Sequence, residues 1–136
     1  IKMKIGKVIF DKLSNDSSLN GLGYASNIYP AKAQQGTAYP YIVYKIDMDD
    51  PVSSKSTNAG SLPEINQMHV EIEIYNARYD NIVDSADAVI KALNRFSGTN
   101  SSVLVDTIQY LDTDDDYDKD EDVYIRTITF RTRVKN

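Results

Sequence analysis

Apolar residues Ile1, Ile5, Val8, Ile9 and Leu13 fall at i, i+4, i+7, i+8 and i+12, while Lys2, Lys4, Lys7, Asp11 and Lys12 fall elsewhere. That spacing predicts an amphipathic helix over residues 1–14. The polar run from Ser14 to Gly23 breaks the period and predicts a turn-rich connection. Asn27-Ile28-Tyr29-Pro30 reads as a short extended piece, and Pro30, Gly36 and Pro40 keep residues 30–40 out of helix. From Tyr41 the chain alternates, with Ile42, Tyr44, Ile46 and Met48 pointing one way and Tyr41, Val43, Lys45 and Asp47 the other, as in a strand with one apolar face. Residues 49–64, rich in Asp, Ser, Pro, Asn and Gly, predict a long polar loop, functional or mobile.

A second strand follows, with Met68, Val70, Ile72 and Ile74 on one face and His69, Glu71, Glu73 and Tyr75 on the other. Tyr79, Ile82, Val83, Ala86, Val89, Ile90 and Leu93 then return to helical spacing. A helix over 80–96 is predicted, with Asp80 as N-cap, Asp84 near its positive end and Gly98 beyond its other end. Residues 101–111 predict a strand in which Leu104, Ile108 and Tyr110 oppose Val103, Val105 and Leu111. Residues 123–134 predict another, with Tyr124, Ile128, Phe130 and Val134 set against Ile125, Thr127, Thr129, Arg131 and Arg133. The segment between them reads as a long hairpin loop. The order of elements predicts an α+β fold, two helices packed on a mainly antiparallel sheet, as a single domain over residues 1–136.

Length agrees, since 136 residues suit one compact core and leave no room for a second full domain. No window approaches the roughly 18 consecutive apolar residues of a membrane span, and the first residues lack the features of a secretory signal, so neither is expected. The absence of cysteine excludes disulfides, thiolate metal sites and thiol nucleophiles. With His69 as the only histidine, a multi-histidine metal site within one chain is excluded too. Charge is unevenly placed. Residues 112–122 carry eight carboxylates (Asp112, Asp114, Asp115, Asp116, Asp118, Asp120, Glu121, Asp122) against Lys119, a net of −7. The whole chain is −5, so the remainder is +2 and the acidity is a local feature.

Three stretches, Ile5-Gly6-Lys7-Val8-Ile9-Phe10-Asp11-Lys12-Leu13, Ile28-Tyr29-Pro30 through Gln35-Gly36-Thr37 to Pro40-Tyr41-Ile42-Val43-Tyr44, and Val70-Glu71-Ile72-Glu73-Ile74-Tyr75 running into Asp87-Ala88-Val89, resemble the tail-completion family of long-tailed bacteriophages. Members are also described as tail terminator or head-tail joining proteins. The closing Arg126-Thr127-Ile128-Thr129-Phe130-Arg131-Thr132-Arg133-Val134 resembles the family's terminal strand. The resemblance covers most of the chain and consists of structural residues, with no chemical signature. It implies a homo-oligomeric ring, typically hexameric, that caps the tail tube and faces the head connector or stopper protein. DNA would pass through that ring without sequence-specific binding. It further implies a place at the head-proximal end of the virion tail, with assembly in the bacterial host cytoplasm. The acidic 112–122 segment is longer and more charged than the family pattern, so its role is specific to this protein.

The chemistry-bearing residues predict no enzyme. His69 sits mid-strand on a face shared with Glu71 and Glu73, which suits a surface or interface histidine and a solvated strand face better than acid–base work. Asp112, Asp114 and Asp116 reproduce the first, third and fifth positions of an EF-hand loop, but the sixth is Tyr117 where glycine is needed and the twelfth is Val123 where glutamate is needed. The glycines form no phosphate loop. No catalytic residue, metal site or cofactor is therefore expected. The candidate interface consists of Tyr29, Tyr39 and Tyr41 around the proline-bounded segment, the acidic Asp114, Asp115, Asp116, Asp118 and Asp120, and the basic Arg131 and Arg133. The arginines suit salt bridges to a neighbouring subunit's acidic surface better than nucleic acid. Two rival readings are a stand-alone acidic protein-binding or inhibitory module and a small hydrolase or isomerase using His69 with a carboxylate. A tight one-to-one complex with a basic protein would favour the first, loss of a measurable turnover in folded His69→Ala would favour the second, and tail-tube and connector genes as neighbours would favour a tail protein.

Overall fold

The computed structural model describes residues 4–24, 26–34, 36–52 and 65–135. Ile1 of the first predicted stripe and residues 53–64 of the predicted loop lie outside them. The elements are α1 (Lys4–Ser14), α2 (Ser17–Gly21), β1 (Ile28–Pro30), β2 (Tyr41–Val52), β3 (Ile65–Asn76), α3 (Tyr79–Leu93), β4 (Gly98–Asn100), β5 (Val103–Asp118) and β6 (Val123–Lys135). The strands form one sheet in the order β1-β2-β3-β6-β5-β4. Only β1 pairs in parallel, with β2; the other neighbours are antiparallel.

The α1 stripe behaves as its spacing predicts, since Ile5, Val8, Ile9 and Leu13 are all buried. They join Met68, Val70, Ile72 and Ile74 of β3, Ile128, Phe130 and Val134 of β6 and Val89 and Leu93 of α3 in one apolar cluster. Alternate residues of a strand point to opposite faces. The helices therefore cover one face of the sheet and leave the other open.

Three helices form where two were expected. The polar tract after α1 holds a third because Asp16 accepts the Leu19 N–H at 3.0 Å as an N-cap, and Leu19 is fully buried. One cap and one apolar anchor suffice for a turn and a half of helix in a tract whose composition reads as loop.

The second predicted helix begins one residue earlier and ends three residues earlier than expected. Its N-cap is Arg78, in extended geometry and without a side-chain bond, so Asp80 belongs to the first turn. Gly98 does not stop the helix: Asn94 does, in extended geometry, and Gly98 opens β4 at φ 125°. Tyr79 and Val83 of the expected stripe are exposed.

Register shifts in β5 between Val105 and Thr107 and between Tyr110 and Asp112 overturn the predicted faces of the 101–111 strand. Val103, Val105 and Ile108 are buried, whereas Leu104 and Tyr110 are 45% and 37% exposed. An extra residue at a bulge reverses every side chain beyond it, and strict alternation cannot anticipate that.

Residues 49–52 of the predicted polar loop belong to β2, which continues to Val52.

Candidate assembly interface

The acidic segment is not a loop. It is the second half of β5, and its residues pair with β6 in sequence: Asp112 with Thr129, Asp114 with Thr127, Asp115 with Arg126, Asp116 with Ile125, Tyr117 with Tyr124 and Asp118 with Val123. Aspartate is a poor strand former alone, but here β-branched and aromatic cross-strand partners outweigh its propensity. Arg126 clasps Asp115 through Nε at 2.6 Å and Nη2 at 3.0 Å. The Tyr117 and Tyr124 rings lie 5.0 Å apart. The turn is reduced to residues 119–122, where the Asp118 carboxylate accepts the N–H groups of Asp120 and Glu121.

Alternation splits the aspartates between the faces. Asp115 lies on the helix side, where Arg126 also donates to the Tyr79 hydroxyl at 3.2 Å and stands over the Tyr79 ring. The Arg126 hydrogen bond holds the Asp115 carboxyl below the usual carboxylate range, and the same bond raises the guanidinium. Asp112, Asp114, Asp116 and Asp118 lie on the open face. Across β6 on that face stand Glu71, opposite Thr129, and Glu73, opposite Thr127. Glu73 pairs with Lys45 of β2 at 3.3 Å.

The tyrosines gather at the same end of the sheet. Tyr41 stacks on Tyr39 at 5.3 Å and on Tyr75 at 4.6 Å, and meets Tyr29 edge-on at 6.2 Å. The Tyr39 phenol is raised by burial and then by the negative charges of Glu121 and Asp118. Burial followed by the Glu73 charge raises Tyr75 still further. The curled sheet thus brings the acidic turn and the tyrosine cluster together. Tyr44 is drawn away into the core.

Arg131 and Arg133 occupy the opposite end of the open face. Their neighbours in register are His69 and Gln67 on β3, and Gln109 and Thr107 on β5. Both side chains are half-buried, and their Nε atoms are buried without a hydrogen-bond partner. The open face is therefore acidic toward the β5–β6 turn and basic away from it.

Sequence reasoning did not single out Arg126, Tyr79, Tyr117 or Tyr124 as a group. Tyr79, Tyr117 and Tyr124, with Ile82, Asp115, Asp116 and Ile125, line a shallow depression of about 360 Å³. The available signal was parity: Arg126 is a basic residue at an even position of a strand whose even residues 128, 130 and 134 are apolar.

A larger groove of about 750 Å³ lies between α1 and β2, lined by Gly6, Phe10, Pro30, Tyr44 and Ile46 among others. Its walls are mainly apolar. Among the described residues no group of three or more histidines and carboxylates is placed to hold a metal ion, and no helix is long and apolar enough to cross a membrane.

Comparison with known proteins places this geometry in context. A solved chain from the structure titled "Virion of native gene transfer agent (GTA) particle" has a similar fold, with a TM-score of 0.76 and 20% identity over 94% of this chain and 92% of that one. Comparison with curated proteins finds no match. The sequence model of the family described as "Tail completion protein gp17" matches residues 7–135, nearly the whole chain. The chain belongs to the tail completion protein gp17 family of bacteriophage proteins.

Proposed function

We propose that this protein completes a phage tail by closing as a homo-oligomeric ring, hexameric in the family pattern, over the head-proximal end of the tail tube. Membership of a tail completion family makes it a structural tail protein, and that match over residues 7–135 carries the reading. One face of the ring would meet the tube protein and the other the head connector or stopper. DNA would pass through the centre, and residues 1–136 would act as one domain. Assembly in the host cytoplasm would precede a permanent place in the virion tail.

The geometry supports assembly over catalysis. Two of the carboxylates are engaged in ion pairs, Glu73 with Lys45 and Asp115 with Arg126, and His69 stands mid-strand in the ladder between Asp47 and Arg131. The open sheet face carries separated charges and a cluster of half-buried tyrosines, a composition that interfaces favour.

Imaging of intact virions or purified tails tests the reading. Copies arranged as a ring at the head-proximal end of the tube are expected, and tails without any copy there would refute it.

A further inference from the structure

We propose that Arg131 and Arg133 receive the acidic half of β5 from a second copy of this chain, so that copies join head to tail, each hairpin lying over the basic end of the next open face. The inference rests on the ring reading above and names the surfaces through which the ring closes.

The receiving patch is incomplete within one chain. Arg131 and Arg133 sit two residues apart on the same face of β6 and are half-buried, and their side chains show no salt bridge and no hydrogen bond among the described residues, with both Nε atoms buried and unpartnered. Their buried Nε donors lack acceptors, a state that costs free energy until an anion supplies them.

The donating patch has matching chemistry and repeat. Asp114 and Asp116 are exposed on the open face, and their partners across the ladder are the uncharged Thr127 and Ile125. Asp116 accepts the Tyr117 N–H at 2.8 Å, which leaves its second oxygen for an incoming donor. Two residues of strand advance by about 6.5–7 Å, so a pair of carboxylates and a pair of guanidinium groups, each at i and i+2, share one repeat.

The two patches cannot meet within one chain. Asp114 pairs with Thr127, and Arg131 lies four residues further along β6, about 13 Å away on the same rigid face. A second copy can bring them together, and a patch that meets a different patch is the heterologous contact from which rings are built. Duplex DNA fits less well. Its phosphates would continue from Arg131 over Glu71 and Asp112, within a Debye length of about 8 Å at physiological salt.

The test uses full-length protein and charge exchange. Arg131→Glu/Arg133→Glu places acid against acid, and Asp114→Lys/Asp116→Lys places base against base. An equimolar mixture of the two variants restores opposite charges at every contact. Capping of purified tails that lack this protein should fall at least tenfold for each variant alone and recover in the mixture, with both variants folded by circular dichroism. Because the chain has no cysteine, an Asp116→Cys/Arg133→Cys variant should form disulfide-linked chains of copies under mild oxidation in concentrated solution.

Normal capping by either charge variant alone, or absence of cross-linking, would overturn the contact while leaving the ring standing. Cross-linking of the double-cysteine variant, with native protein that does not bind tails, would refute the ring and keep the contact. Duplex DNA binding by native protein that depends on both arginines, with no cross-linking of the double-cysteine variant, would assign the patch to DNA instead.

Discussion

Arg126 holds Asp115 across the β5–β6 ladder with two roughly parallel hydrogen bonds, 2.6 and 3.0 Å long, and in doing so ties the most acidic stretch of the chain into the sheet. Asp115 remains about half exposed, with a side-chain accessibility of 47%, so the pair is worth about 1 kcal/mol or less. Arg126→Met should lower stability by that amount in urea unfolding.

The pH dependence of that difference follows from the depressed Asp115 pKa. A carboxylate whose folded pKa lies below its unfolded value contributes its stability above the unfolded value, about 3.9, and loses it as pH falls through the lower folded value. The gap between native protein and Arg126→Met should therefore be full at pH 6 and shrink steadily below about pH 4. A gap that widens on acidification would show that the ion pair is not its source.

A second prediction concerns a buried polar knot. The Tyr24 hydroxyl, fully buried, lies 2.9 Å from both Asn76 Nδ2 and Ser85 Oγ, and joins the end of β3 to α3. Tyr24→Phe removes the hydroxyl and leaves the Asn76 donor without its acceptor, at a cost of about 1–3 kcal/mol. Chemical unfolding should show that loss with an unchanged circular dichroism spectrum.

The bulged register of β5 gives a third. Ile108→Ala should cost about 2–5 kcal/mol because the side chain is fully buried. Leu104→Ala, at a position 45% exposed, should change stability by no more than about 0.5 kcal/mol. Strict alternation through 101–111 would make the two equivalent, so their ratio reads the bulge directly.

The proximity of the acidic turn to the tyrosine cluster gives a fourth. Burial first, then Glu121 and Asp118, raise the Tyr39 phenol. Asp118→Asn/Glu121→Gln should lower the pH at which Tyr39 ionises, together with Tyr41, which Glu121 also raises, and Tyr117, which Asp118 also raises, as followed by ultraviolet absorbance in an alkaline titration. The burial contribution should persist. An unchanged titration would mean that the turn does not approach Tyr39 in solution.

Shortening the acidic segment to a tight turn is not a neutral change in this fold. Residues 114–118 are ladder partners of residues 123–127, and their removal would leave the first five residues of β6 with an unpaired edge. Neutralising the aspartates on the open face is the cleaner way to probe them.

The period of the apolar residues by itself determined α1, β2, β3, α3 and β6 to within a few residues, because burial on one face imposes a period of 3.6 on a helix and 2 on a strand. The family was legible for the same reason: its pattern consists of those core positions. Tertiary structure alone decided what Asp112–Asp118 would become. Their local preference is for turns, and only the Thr, Ile, Tyr and Arg side chains of β6 opposite them make a strand the lower free-energy state.

The faces of β5 were likewise undecidable from its own residues. A bulge is selected by how two strands must twist against each other, and one extra residue exchanges inside for outside. The same is true of the candidate interface. Charge and composition named its residues, but strand order and sheet curl set Tyr39 beside the acidic turn and left Arg131 and Arg133 at the far end without an acceptor. Distances between residues remote in sequence are consequences of topology, which local periodicity does not encode.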